Sequence, residues 1–479
     1  MADKGTTSDT GGGWTAAWEL LLPTAAAPPR RRGRVLQSAL REAVRSGRIA
    51  AGTRLPSSRE LAADLGVSRG LVTDAYEQLT AEGYLRTARG AGTWVSATVR
   101  ASAPPGDRER ETPGDDPGSG FLPGTPDLSL FPRAAWSAAH RRALARLPHS
   151  GLGYPDPRGL RELRVAVAGL LSRRRGVVAD PECVVICSGV AQAMTLLGLA
   201  LGELGHRAMA VESPGSPEHT ALLTAAGMAA VPVPLDAEGL DPAALAASGA
   251  RAAQLTPSHQ FPSGIAYSAR RRSELLDWAR AADGLLIEDD YDGDFRYDRA
   301  PVGALQGLDP ARVAYAGSVS KSLAPGLRLG WLVVPGRLVA RVVERKRTMD
   351  LGNPALDQAL LAEFITRGDY DRQLRRCQRA YRERRDVLVA ALGERFPGTE
   401  VSGIAAGLHI IARLPRRYGP ERAFLERAAR AGVGLRPLAA FGGDPARDGR
   451  VGLVMGYAHL PPARIVRAVG LLADAAHGE

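Results

Sequence analysis

Apolar positions in the first hundred residues follow a helical period and then a strand period. In GRVLQSALREAVRSGRI, Val35, Leu36, Leu40, Val44 and Ile49 recur at the spacing of one helix face. The next stretch, LPSSRELAADLGVSRGLVTDAYEQLTAEGYL, carries its own punctuation. Ser57 with Glu60 three residues on makes a capping box and opens a short helix through Leu65. Gly66 stops that helix, and Ser68 caps a second one running to about Glu82. Two helices joined by the tight GVS turn predict a helix-turn-helix. GYLRTARGAGTWV then alternates, with glycines at its tip, and predicts a hairpin wing.

Beyond residue 120 the pattern changes. Short apolar runs (CVVICSG, RAMAVESP, AAQLTPS, GLLIEDDYD, RVAYAGS) alternate with helical stretches, which predicts an α/β domain with a mainly parallel sheet. From about 350 to 479, longer amphipathic helices and a few strands predict a smaller α+β subdomain. Between the two regions, residues 96–120 are dense in Pro, Gly, Ser and charge and cannot bury enough surface to fold. The expected organisation is a disordered tail over 1–13, a winged helix over 14–95, a flexible linker over 96–120 and an α/β domain over 121–479. Internal repeats are not apparent.

Composition narrows the class. Hydrophobic content of 45% with 24% charged residues is that of a folded chain rather than a disordered one. A formal net charge of +11 suits a polyanionic partner. Residues 1–100 hold 14 Lys or Arg against 9 Asp or Glu, so the winged-helix region is itself basic, as a phosphate-facing surface requires. In such a module the second helix enters the major groove of double-stranded DNA by its N-terminal turn. Ser68, Arg69, Leu71 and Thr73 are the candidates there, with Arg54, Ser58, Arg59 and the wing residues Arg89 and Gly90 on the flanking backbone. Three cysteines, Cys183, Cys187 and Cys377, allow no disulfide framework, and no metal-ligand spacing surrounds them. The N-terminus lacks an apolar signal core and no apolar run approaches 18 residues, so a cytoplasmic protein is expected.

Of the 62 Lys and Arg residues only Lys4, Lys321 and Lys346 are lysines. Lys4 sits in a tail and Lys346 in the charged run VERKR, both expected as solvated charges. Lys321 stands among serines and glycines in GSVSKSLAPGLRLGW, where an amine can attack a carbonyl and a guanidinium cannot. Pyridoxal 5'-phosphate (PLP) is the common cofactor that requires such a lysine. A phosphate cradle is then needed. Gly189 turns a strand into a helix whose Val190, Ala191 and Gln192 N–H groups would face an anion, and Ser318, Ser320 and Arg328 flank Lys321. A partner for the pyridine nitrogen is needed as well. GLLIEDDYDGDF supplies Asp289 for it and Tyr291 for the phenolic oxygen, two apart and so on one strand face.

The stretch from GRVL to GTWV resembles the GntR-type winged helix, with Gly70 where that family carries a larger or polar residue. The rest resembles the fold-type I aminotransferases, and more narrowly the MocR-type regulators that fuse the two. The resemblance rests on FLPGTPDLSLFP, GYPDPRGLRELR, CSGVAQA, TPSHQFPSG, EDDYDGDFRY, GSVSKSLAPGLRLGW and AAGLH. It implies that Lys321 carries PLP as a Schiff base and that Asp289 meets the pyridine nitrogen and Tyr291 the phenolic oxygen. Ser318, Ser320 and Arg328 would hold the phosphate, with His259, Gln260 and Phe261 on the cofactor edge. A homodimer reading two DNA half-sites, regulated by PLP or its adduct with an amine, is the implied function. An active aminotransferase, or a regulator that has lost PLP, are the alternatives.

Two positions depart from the family. Ser216, in ESPGSPEHT, replaces the aromatic that stacks on the ring, a loss of about 1 kcal/mol. Val454 stands where aminotransferases grip a substrate carboxylate with arginine, leaving Arg436 and Arg450 as substitutes.

Overall fold

A computed structural model describes Thr24 and residues 26–88, 91–98, 120–298, 302–443 and 449–477. The chain divides into two compact units, 1–114 and 115–479. Among the described residues no helix is long and apolar enough to cross a membrane.

In the first unit, helices α1 (Arg32–Arg45), α2 (Ser58–Leu65) and α3 (Arg69–Ala81) pack around Leu36, Leu40, Leu61, Leu65, Val72 and Leu79. The capping logic holds atom by atom. Ser57 Oγ accepts from Glu60 N–H at 3.2 Å, and Ser57 N–H donates to the Glu60 carboxylate at 2.8 Å. Gly66 closes α2 with φ +63°, and Ser68 Oγ caps α3. Strands β2 (Leu85–Ala88) and β3 (Gly92–Val95) form the wing. Strand β1 (Arg54–Leu55) joins β3 as a third strand, which two residues are too few to announce in the sequence.

The second unit is built on an eight-stranded sheet. In chain order its strands are β4 (Val184–Cys187), β5 (Ala208–Ser213), β6 (Ala229–Asp236), β7 (Gly239–Leu240), β8 (Ala252–Leu255), β9 (Leu285–Asp289), β10 (Val313–Ser318) and β11 (Gly330–Val333). Their spatial order is β4-β11-β10-β9-β8-β5-β6-β7. The central pairings from β10 to β6 are parallel, and β11 runs antiparallel between β10 and β4. Both faces are covered: Leu285 and Ile287 pack into one core cluster and Leu286 into another. That double burial explains why these strands read as unbroken apolar runs. Three strands escaped the pattern, among them the two-residue edge strand β7. β6 carries Pro232 and Pro234 and lies next to the sheet edge, where lost donors are tolerated. β11 is a short antiparallel insertion.

The smaller layer, with the long helix Asp369–Arg395, is an antiparallel sheet of β12 (Glu400–Ser402), β13 (His409–Leu414), β14 (Arg436–Pro437) and β15 (Val451–Gly456) in the order β12-β13-β15-β14. Gly120, assigned to the linker by composition, already belongs to this unit. It bridges Gly434, and the adjacent Phe121 N–H donates to the Gly434 carbonyl at 2.9 Å. A Cβ at Gly120 would stand 2.9 Å from that carbonyl oxygen, so glycine is required by close approach.

Candidate functional site

The C-terminal ends of the parallel strands open onto a cavity of about 640 Å³. Gly189, Val190, Ala191, Asp289, Tyr291, Ser318, Ser320, Lys321 and Arg328 all line it, although they come from four separate chain segments. Ligand sites form at this end of open α/β sheets because loops and helix N-termini converge there.

At one end, Gly189 holds φ +90° and starts the helix Val190–Glu203 without a side-chain cap, leaving the first N–H groups facing the cavity. A Cβ on Gly189 would sit 3.3 Å from the Arg328 guanidinium. Arg328 is exposed, donates to the Ser188 carbonyl and pairs with no carboxylate among the described residues. Its own φ of +52° is a left-handed conformation that a non-glycine residue adopts at some cost. Gln192, on the helix Val190–Glu203, is not among the residues that line the cavity. Its side chain accepts from Ser188 N–H at 2.8 Å and donates to Asp350 at 2.7 Å.

In the middle, Lys321 Nζ donates to the Gly124 carbonyl at 2.5 Å. Burial lowers the pKa of its amine, with Asp292 and Asp289 opposing. Asp289 ends β9, buried, and its Oδ1 has no hydrogen-bond partner among the described residues. Burial pushes this carboxyl up to about 8, reinforced by Asp290, Glu212 and Asp292 and opposed by Lys321. The other oxygen lies 3.4 Å from His219 Nε2, and burial lowers the pKa of that imidazole. The two groups therefore face one another uncharged near neutral pH.

Tyr291 reaches the cavity by a different route from the one strand alternation predicts. β9 stops at Asp289, and the turn after it carries Tyr291. Asp290 points away and anchors that turn: Arg175 Nε donates to it at 2.6 Å and Tyr315 OH at 2.5 Å, with Arg175 and Asp290 side chains each 2% exposed. Replacing Arg175 with methionine leaves a buried carboxylate uncompensated. Loss of about 3–5 kcal/mol is expected, read as a lower urea midpoint for the large unit, with Asp290→Asn in the same chain recovering part of it.

His259 corrects the sequence reading, because it does not line the cavity. Its Nδ1 lies 2.9 Å from Asp292 Oδ2 and 3.0 Å from Tyr291 OH, so it stands behind the phenol and orients it. Gln260 also turns inward, donating to Glu212, while Phe261 does line the cavity. His259, Asp292 and His409 bring ligand atoms within 4.8 Å of one another, a cluster the sequence spacing concealed. Burial pushes His409 down to about 3. Lys346 is a second correction. It is fully buried and paired with Asp350 at 2.9 Å, not solvated.

Sequence reasoning missed His219, Glu212 and Arg175. For His219 a signal existed: it lies three residues after Ser216, one helical turn along the face of Pro217–Ala225 that begins at the cavity.

On the winged helix, Arg54, Arg59, Ser68 and Arg69 are exposed and Ser58 is half-buried. Arg54 donates to the Ala91 carbonyl at 2.9 Å and lies over the Trp94 ring, so it is held against the wing. Leu71 is half-buried against the hydrophobic core, which removes it from the outward face, and Thr73 Oγ1 bonds back to the Arg69 carbonyl at 3.0 Å. Open space surrounds Gly70. Arg89 and Gly90 lie outside the described residues.

Residues 119–458 match the family described as aminotransferase class I and II, and residues 34–95 match the bacterial regulatory proteins of the gntR family. The HTH-type pyridoxine biosynthesis transcriptional regulator PdxR of Corynebacterium glutamicum is 35% identical, over 88% of this chain and 91% of its own. The probable rhizopine catabolism regulatory protein MocR of Rhizobium meliloti is 34% identical, over 92% and 93%. Among solved structures, the kynurenine aminotransferase of Pyrococcus horikoshii superposes with a TM-score of 0.66 at 25% identity, over 74% of this chain and 90% of that one. The chain belongs to the MocR-type transcriptional regulators, which join a gntR-family DNA-binding domain to an aminotransferase class I and II domain.

PLP is the cofactor of this class of domain, and the residues present fit it. The unpartnered buried Asp289 oxygen awaits a hydrogen-bond donor, which a protonated ring nitrogen supplies. The glycine at 189 leaves room for an anion beside an arginine that pairs with no carboxylate among the described residues.

Proposed function

We propose that the cavity holds PLP, alone or with a small amine, and that its occupancy sets how the winged helix engages DNA. One observation carries this reading: the single amine of the cavity, Lys321, shares it with the unpartnered Asp289 oxygen and with Arg328 beside a free helix N-terminus. Lys321 attaches the cofactor and Asp289 holds the proton on its ring nitrogen. Tyr291, steadied by His259 and Asp292, donates to its phenolic oxygen. Gly189, Val190, Ala191, Gln192, Ser318, Ser320 and Arg328 receive its phosphate through backbone N–H groups, hydroxyls and guanidinium. Bound PLP supplies an electrophilic carbon and an electron sink to an arriving amine.

On the DNA side, Ser68 and Arg69 read base edges while Arg54, Ser58, Arg59, Arg89 and Gly90 meet phosphates. The protein acts in the cytoplasm as a homodimer on two half-sites. Val454 disfavours the reading as an efficient aminotransferase: it is fully buried against Ile411 and Leu438, and Arg450 is committed to Glu400 at 2.7 Å.

The test selects a tight-binding duplex from a random pool and measures the affinity of the full chain for it with and without PLP and a panel of amines. A change of about 5- to 150-fold is expected, the usual size of a coupling of 1–3 kcal/mol. Affinity indifferent to PLP and to every amine would sink the proposal.

A further inference from the structure

The cavity contains one more cation than the cofactor needs. Arg436 lies on β14 directly opposite Val454 of β15, so the two side chains share one face of the small sheet. Val454 is buried in an apolar cluster on that face, whereas Arg436 is exposed and lines the cavity with Ala440 and Phe441. Among the described residues no carboxylate or carbonyl pairs with its guanidinium. The described acids that line the cavity point to other groups. Glu212 is bound by Thr256 N–H at 2.9 Å, Thr256 Oγ1 at 2.5 Å and Tyr267 OH at 2.5 Å. Glu218 accepts from Ser216 at 2.7 Å, and Asp289 faces His219. Arg328 sits at the opposite, phosphate end beside Gly189.

An arginine left without an anion in a ligand cavity is a receptor for one, and its planar fork suits a carboxylate. We propose that Arg436 binds the carboxylate of the effector, which is therefore an amine that also carries an acid group, with its amino end toward Lys321. The proposal rests on the PLP reading above. It moves the anion grip one strand over, from the buried Val454 position to its cross-strand neighbour, which confers recognition without rebuilding the apolar cluster.

The experiment titrates the PLP-loaded full chain with matched amines: glycine against methylamine, β-alanine against ethylamine, and 5-aminopentanoate against butylamine. The readout is the concentration that half-shifts the visible PLP band. At least one acid is expected to act at a concentration about 10- to 100-fold below that of its partner, the range of a charge-assisted hydrogen bond. Arg436→Met should erase that preference and keep the PLP band, and Arg436→Lys should keep part of it. A band without any preference, or a preference unchanged in Arg436→Met, overturns this proposal alone. Absence of a band in the unmodified protein overturns the cofactor reading and this proposal with it.

Discussion

Lys321→Ala is expected to abolish covalent retention of PLP. Incubated with PLP, treated with borohydride and denatured, the unmodified chain should keep one cofactor and the variant none. No neighbouring amine can substitute. Lys346 is the other described lysine, fully buried in its pair with Asp350 and absent from the cavity wall. Burial lowers the pKa of the Lys321 amine, which raises the fraction of nucleophilic neutral amine near pH 7. Lys321→Arg should fail equally while keeping the charge, because a guanidinium does not form the bond. Melting of cofactor-free Lys321→Ala should change little, since the hydrogen bond to Gly124 lost is offset by a buried amine removed. Cofactor retained by Lys321→Ala would place the attachment elsewhere.

Asp289→Asn should stabilise the cofactor-free protein while weakening PLP. The folded carboxyl holds its proton up to about pH 8, whereas an unfolded aspartate releases it near 4. Between those values the folded state binds more protons than the unfolded one, so stability falls as pH rises. The loss is about 1.4 kcal/mol per pH unit, at most about 4 kcal/mol at pH 7. Asparagine has no proton to lose. The variant should therefore melt higher than the unmodified protein at pH 7 to 8 and alike at pH 4, the difference opening through that window. PLP affinity should drop by about 2–5 kcal/mol, because a buried ring nitrogen loses its charged partner. Identical pH slopes for the two proteins would show that Asp289 is not held neutral by the fold.

These effects trace back to different depths of the chain's organisation. The winged helix was legible almost whole, because its signals act over three or four residues: Ser57 with Glu60, Ser68 before its helix, Gly66 between them. Four of the five parallel strands, all but β6, were legible too, since burial on both faces writes itself as continuous apolar runs. Resemblance then drew Lys321, Asp289, Tyr291 and Arg328 together, and the cavity contains all four.

What local spacing cannot carry is which distant groups meet. Gly124 reaches Lys321 across 197 positions and Arg175 reaches Asp290 across 115. Those meetings are set by strand order and loop closure. The same holds for Lys346, whose charged run looks solvated until its helix packs on Val190–Glu203 and turns it inward. It holds for His259, drawn behind Tyr291 by Asp292, and for Arg436, whose place opposite Val454 depends on sheet register. The amino-acid order alone marked most of the elements, the class and the candidate amine. Only the folded chain decided which polar groups are left without partners, because burial and pairing are properties of surfaces brought together from far apart.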